Sequence, residues 1–226
     1  MNWTSLRPIQ VDTIHAVNAS TNHLVVSANT AAGKTEAAFL PVLSQIIDNQ
    51  IPGIGALYVG PLKALINDQF QRLERLCDLS GIQVFKWHGD VSSEKKRKFV
   101  KNSSGVLLIT PESIESLFIN HSEYVSQLLS GLSFIVIDEM HSFIGVERGA
   151  HLRSLLSRIM LVKSSPIRLI GLSATFGDTS LVKQWLMPKN PHTVEIIDDP
   201  ESDRNIRYLI KGYLQEKDSP KKKSEE

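Results

Sequence analysis

Short β-branched runs alternate with longer amphipathic stretches along this 226-residue chain. The strand-like runs fall at residues 23–27, 56–60, 82–87, 106–110, 134–138, 167–173 and 193–197. Several are apolar without alternation, such as LLIT at 107–110 and FIVI at 134–137. Runs of that kind suit strands covered on both faces. Between them, apolar residues at helical spacing predict helices over 8–18, 34–48, 62–79, 92–101, 111–120, 149–162 and 178–186. Pro8 and Pro111 open two of these, where a missing N–H does no harm. Strand and helix in alternation predict an α/β domain with a mostly parallel central sheet and helices on both faces. Ligands of such sheets gather at the carboxyl ends of the strands, so residues just past each strand carry the interest.

Composition narrows the picture. The length fits one large α/β domain, expected over residues 1–200. Residues 198–203 are acidic, 205–214 read as a final strand, and the remainder to 226 is a charged tail too poor in apolar residues to order itself. A formal net charge of +1 gives no bulk basic field, so any nucleic-acid binding must come from local features. The lone cysteine, Cys77, excludes an internal disulfide, and no Cys/His cluster has zinc spacing. No apolar run approaches the ~18 residues of a membrane span, and residues 1–10 lack the apolar core of a signal peptide. A soluble, cytoplasmic protein without membrane partners is expected.

The first chemical signal is SANTAAGKT at 27–35, directly after a strand and directly before a helix. Successive backbone N–H groups of such a loop, here Asn29, Thr30, Ala31, Ala32 and Gly33, wrap phosphate, and the helix N-terminus adds partial positive charge. Lys34 reaches the outer phosphates and the Thr35 hydroxyl ligates Mg²⁺. Ala28 and Ala31 depart from the glycines common in such loops. The second signal is FIVIDEMH at 134–141, an apolar strand that delivers two carboxylates to its carboxyl end. Asp138 is expected to hold Mg²⁺ and Glu139 to orient and deprotonate the attacking water. The third is LSAT at 172–175, where the Ser173 and Thr175 hydroxyls stand ready to bond the carboxylates or His141 and report the nucleotide state.

These three segments, in this order, resemble the first RecA-like domain of superfamily 2 helicases, a phosphate-loop NTPase fold. WTSLRPIQ at 3–10 resembles the family's adenine-reading element, with Gln10 as the base reader. PLKAL at 61–65 and TPES at 110–113 resemble its strand-tracking motifs, and HGD at 88–90 falls where the family often carries another backbone contact. YVGPLKALINDQ, LLITPESIESLF and VIDEMHSFIGVERGAHLRSLLSRI look most like the large helicase-related, or Lhr-type, DNA helicases. The reading DEMH rather than DEAD argues against the DEAD-box RNA helicases. The resemblance implies ATP and Mg²⁺ as cofactors, and DNA with a single-stranded segment as partner. It also implies catalytic roles for Lys34, Asp138, Glu139 and His141, and nucleic-acid contacts at Pro61, Lys63, Gly89, Thr110, Pro111 and Glu112. Free N–H groups where strands give way to helices suit phosphates of any sequence. Arg148 and Arg153 have two readings, a nucleic-acid contact and a solvated helix face, of which the second is preferred, and Trp87 and Trp185 read as core rather than as base-stacking residues. A motor of this class needs a second RecA-like lobe, for which the residues after 175 leave no room. The alternatives are an RNA helicase, a catalytically silent nucleic-acid-binding scaffold, and an unrelated phosphate-loop NTPase.

Overall fold

The computed structural model describes residues 5–29, 32–78, 80–101, 103–163, 165–174, 177–199 and 209. The strands are β1 (His23–Ser27), β2 (Ile54–Val59), β3 (Val84–Trp87), β4 (Gly105–Ile109), β5 (Phe134–Ile137), β6 (Arg168–Ser173) and β7 (Val194–Asp198). All pairings among them are parallel, in the spatial order β3-β4-β2-β5-β6-β1-β7. The helices are α1 (Pro8–Ala19), α2 (Lys34–Asp48), α3 (Lys63–Cys77), α4 (Ser93–Lys101), α5 (Pro111–Asn120), α6 (Ser122–Leu128), α7 (Glu147–Val162) and α8 (Thr179–Leu186). Two short 3-10 turns, Met140–Phe143 and Pro191–Thr193, complete the order.

The unbroken apolar runs have a simple cause. Along β2, Leu57 and Val59 pack into one core while Ala56 and Tyr58 pack into another on the opposite face. β5 divides the same way, Ile135 and Ile137 against Phe134 and Val136. One core is closed by α1, α2 and α3 through residues such as Ile9, Phe39, Val42, Ile66 and Leu73. The other is closed by α4 to α8, with Phe99, Ile114, Leu128, Leu155 and Trp185 among its members. Each fully buried Leu, Ile or Val contributes roughly 1.5–3 kcal/mol, so both faces of the central strands are locked.

The α/β architecture agrees with the sequence pattern, and the sheet is wholly parallel among the described strands rather than mostly so. Helix α6 was not expected. Its seven residues, SEYVSQL, bury only Val125 and Leu128, one apolar contact per turn, too little to register as a period. β3 begins at Val84 rather than 82 and β2 at Ile54 rather than 56. The expected strand at 205–214 and the charged tail lie outside the described residues, Leu209 apart. No described helix is long and apolar enough to cross a membrane.

Candidate functional site

β1, β5 and β6 are neighbours, so their carboxyl ends stand side by side. Ser27 pairs with Ser173 in the ladder, and the Ala28 N–H donates to the Ser173 carbonyl at 3.2 Å. Ile137 pairs with Gly171, which sets Asp138 just beyond that edge. The loop after β1 enters α2 through Gly33, whose φ of +88° is left-handed. That conformation calls for glycine, and a Cβ there would also stand 2.6 Å from Gln10 Nε2, the movable end of a flexible side chain. Thr30 and Ala31 lie outside the described residues, as does Thr175.

Lys34 is buried, and its Nζ donates to the carbonyls of Ala28 at 2.6 Å and Asn29 at 3.1 Å. Burial holds its pKa below the ordinary lysine value, against the opposing pull of the Glu139 and Asp138 carboxylates. Thr35 is buried beside it at the first turn of α2. Asp138 is only 6% exposed. Its Oδ1 accepts the Glu139 N–H at 3.0 Å, and its Oδ2 accepts the hydroxyl of Tyr58. Desolvation pushes the Asp138 carboxyl above the usual range, with the neighbouring Glu139 charge adding and the Tyr58 bond opposing. Burial likewise pushes the Tyr58 phenol up.

Glu139 adopts a left-handed backbone, φ +46°, which is costly for a side-chain-bearing residue, of order 1–3 kcal/mol. It opens the 3-10 turn at Met140–Phe143, and α7 presses on that turn closely. A Cβ on Gly149 would lie 1.6 Å from the Phe143 carbonyl oxygen. The turn carries His141 back toward the sheet, where its Nδ1 stands 3.0 Å from Ser173 Oγ and 3.4 Å from Glu139 Oε2. One imidazole thus spans the ends of β5 and β6.

Gln10 is buried and faces the chain itself. Its Oε1 accepts the Arg7 N–H at 3.0 Å, and its Nε2 approaches the Gly33 carbonyl at 3.5 Å. Glu36, one residue past Thr35, binds the Arg72 guanidinium of α3 through Oε1, while its buried Oε2 has no partner among the described residues. This pair ties α2 to α3, whose first turn follows Pro61.

A second cleft, of about 450 Å³, is lined by Pro61, Lys63, Gly89, Thr110, Glu112 and Arg148, with Trp87 and Lys96 beneath. It gathers five of the six positions expected to contact nucleic acid from three separate strand ends. Pro111 is buried at the first turn of α5 and does not line it. Neither α3 nor α5 has an N-cap side-chain hydrogen bond; α3 has no acid in its first turn, whereas the first turn of α5 carries Glu112, whose carboxylate accepts its own backbone N–H. Lys63 pairs with Asp90 at 2.9 Å across Gly89. Glu112 receives both arms of Arg148, at 2.7 and 3.0 Å. Partial burial raises the Glu112 pKa, but Arg148, its own backbone N–H and the Thr110 hydroxyl together outweigh it and hold the carboxyl below the usual range.

Tyr58, Arg72 and Arg148 are the site neighbours that sequence reasoning missed. Arg148 read as a solvated helix face, whereas its bidentate pairing turns it into the cleft. The one available signal for Tyr58 was a polar-tipped residue within an otherwise apolar strand, three positions ahead of Pro61.

A family model described as DEAD/DEAH box helicase matches residues 7–182. The chain is 33% identical over 202 residues to "Lhr helicase/ probable uracil glycosylase" of Mycolicibacterium smegmatis, covering 83% of this chain and 13% of that protein. It is 35% identical over 191 residues to the "ATP-dependent helicase Lhr-Core" of Sulfolobus acidocaldarius, covering 78% of this chain and 21% of that protein. Among solved structures, Mycobacterium smegmatis helicase Lhr bound to ssDNA and AMP-PNP superposes with a TM-score of 0.77 at 31% identity, over 88% of this chain and 26% of that one. Helicase MrfA bound to DNA superposes with a TM-score of 0.74 at 29% identity, over 85% and 27%. The chain therefore spans about an eighth to a quarter of the length of these proteins.

Proposed function

Because this chain belongs to the DEAD/DEAH box helicase family, we propose that it is the ATP-binding lobe of an ATP-dependent DNA helicase or translocase. The observation that carries this reading is the meeting of Lys34, the Asp138–Glu139 pair and the His141–Ser173 bond at the ends of three adjoining strands.

The residues fit a magnesium nucleotide. Asp138 is a buried carboxylate whose charge is opposed by desolvation and by Glu139, and a divalent cation relieves both. Thr35 and Asp138 would hold Mg²⁺, which when bound supplies charge neutralisation on the phosphates. Lys34 is held on two loop carbonyls, a hydrogen-bonding place it would exchange for phosphate oxygens at the N-terminus of α2. In this reading the N–H groups of Asn29, Ala32 and Gly33 belong to the cradle, and Thr30 and Ala31 are assigned to it from the sequence alone. Gln10, against Gly33, marks the side on which the base is read. Glu139 orients the attacking water and accepts its proton. His141, between Glu139 and Ser173, senses that change, with Thr175 two residues past Ser173 in sequence as the second hydroxyl of this reading.

DNA enters this reading through the second cleft. Pro61, Lys63, Gly89, Thr110, Pro111 and Glu112 surround two uncapped helix starts, a phosphate-binding arrangement without base preference. Glu112 acts there through Arg148, which it orients, since a carboxylate repels phosphate. Two relatives of known structure carry DNA, one of them single-stranded. A second RecA-like lobe is the partner that closes over the nucleotide and completes charge stabilisation on the transferring phosphoryl group.

Titration of a fluorescent ATP analogue with Mg²⁺ tests the reading, beside ATP turnover with and without single-stranded DNA. Binding by the chain that is lost in Lys34→Ala supports it. Absence of binding by the unaltered chain would overturn it.

A further inference from the structure

A larger concavity, of about 880 Å³, runs along the outer side of β3. Among the described residues β3 is the last strand on its side of the sheet, and no further strand covers that edge. Val84 and Phe85 line it from the two faces of β3, Val84 on the side of α3 with Phe70 and Phe85 on the side of α4, whose Lys95, Lys96 and Lys98 also line it. The sequence of α4, SEKKRKFVK, holds five cations and one acid, although the whole chain carries only +1. Lys86 and Lys96 are partly engaged, lying 4.9 Å over the Phe70 ring and 5.5 Å over the Trp87 ring. The side chains of Lys95 and Lys98 have no hydrogen bond or ion pair among the described residues.

His88 supplies a second, independent observation. It lines the groove while only 4% exposed, and its Nε2 stands 3.3 Å from Asn67 Oδ1. Its buried Nδ1 has no hydrogen-bond partner among the described residues, the Asp90 carboxylate being 3.8 Å away. Buried polar atoms are nearly always satisfied, so an orphan nitrogen at the lip of a cationic groove points to a ligand. Asn67 Oδ1 already accepts Lys86 Nζ at 2.7 Å, which makes Nε2 the protonated nitrogen and leaves Nδ1 an acceptor. Continuity fixes the kind of ligand. Trp87 and Lys96 line both this groove and the cleft around Pro61 and Arg148.

We propose that the groove along β3 carries a nucleic-acid strand onward from that cleft, with phosphates along Lys95, Lys96 and Lys98 and bases against Phe85. His88 Nδ1 accepts a hydrogen bond from a base or sugar at the junction. The proposal rests on the nucleic-acid reading of the Pro61–Arg148 cleft and lengthens its footprint. A cationic groove with an aromatic side chain in its lining is the arrangement that binds single strands without sequence preference.

The test uses the whole chain with 5′-labelled oligothymidylates at low salt, comparing lengths of about 6 and about 12 nucleotides. The variant is Lys95→Glu/Lys98→Glu, whose exposed, unpartnered side chains can be reversed without disturbing the fold. The chain is expected to prefer the longer strand, and the variant to lose about tenfold in affinity for it, with a salt dependence shallower by about one to two charges. The shorter strand should be unaffected. Equal loss at both lengths, or none at the longer, would overturn the proposal while leaving the parent reading intact. Failure of the unaltered chain to bind either length would overturn both. Hydrogen exchange distinguishes the other occupant of a free strand edge. Protection of β3 amides by an acidic peptide that does not displace the oligonucleotide would assign the groove to a protein strand and overturn the proposal.

Discussion

The hydroxyl of Tyr58, fully buried on β2, donates to Oδ2 of Asp138 at the end of β5, across 80 positions of sequence. Tyr58 lies three residues ahead of Pro61, so one short segment touches the carboxylate proposed to hold magnesium and the turn proposed to hold DNA. Tyr58→Phe removes that donor and little else. It leaves a buried carboxylate oxygen short of a partner, a cost of roughly 1–3 kcal/mol. We expect the Mg²⁺ concentration needed for nucleotide binding to rise several-fold, read by calorimetric titration of ADP at graded Mg²⁺. A lower melting temperature with unchanged Mg²⁺ dependence would reduce Tyr58 to a structural role.

Among the described residues, Lys34 donates to the loop carbonyls of Ala28 and Asn29. Its charge is disfavoured by burial, so its removal should cost the free chain little stability. Charge-assisted bonds of the kind it would make to phosphate contribute about 1.5–3 kcal/mol, or roughly 10–100-fold in affinity. Lys34→Ala should therefore weaken nucleotide binding by that factor with a near-unchanged thermal midpoint. A large loss of stability at unchanged affinity would count against the assigned role.

His141 and Ser173 are 3.0 Å apart and belong to different strand ends. If their contact relays the state of Glu139, His141→Ala and Ser173→Ala should each uncouple DNA stimulation from ATP turnover, and the double variant should be no worse than either. That non-additivity is measured by a double-mutant cycle on the stimulation ratio. Simple multiplication of the two effects would show that the residues act separately.

Two acids of α5 are held low by cations of α7. Arg148 lowers Glu112 against partial desolvation, and Arg158 followed by His151 lowers Glu115. A carboxylate with a depressed folded pKa stabilises the fold above its unfolded value, 4.5 here, and the contribution fades as pH falls through the lower folded value. These pairs are largely exposed, so each is expected to contribute only about 0.2–1 kcal/mol. In urea titrations from pH 6 down to about 3, Arg148→Ala/Arg158→Ala should flatten the acid limb of the stability curve. A parallel offset at every pH would point instead to lost packing of the arginine stems.

Much of the fold and half of the site were legible because their signals are local. Strands buried on both faces have no alternation, so FIVI and LLIT announced a parallel sheet. A loop passing directly from strand to helix has a local signature, so the placement of Lys34 and Thr35 at the start of α2 could be read from spacing alone, as could that of Asp138 and Glu139 behind their strand. The second cleft was legible only in pieces. PLK, HGD and TPE each ended a strand, but nothing in the chain stated that β3, β4 and β2 are neighbours or that Arg148 of α7 leans in beside them. Helix α6 escaped because two buried residues do not make a period.

The sequence by itself determined which residues follow strands, which helices begin directly after a strand-end turn, and which acids share one strand end. Only the tertiary structure decided that Tyr58 reaches Asp138, that Arg72 neutralises Glu36, and that Lys34 rests on its own loop. The physical reason is that capping, periodicity and loop geometry act over a few residues of chain, whereas burial and pairing of charge depend on strand order. That order is set by packing two cores at once.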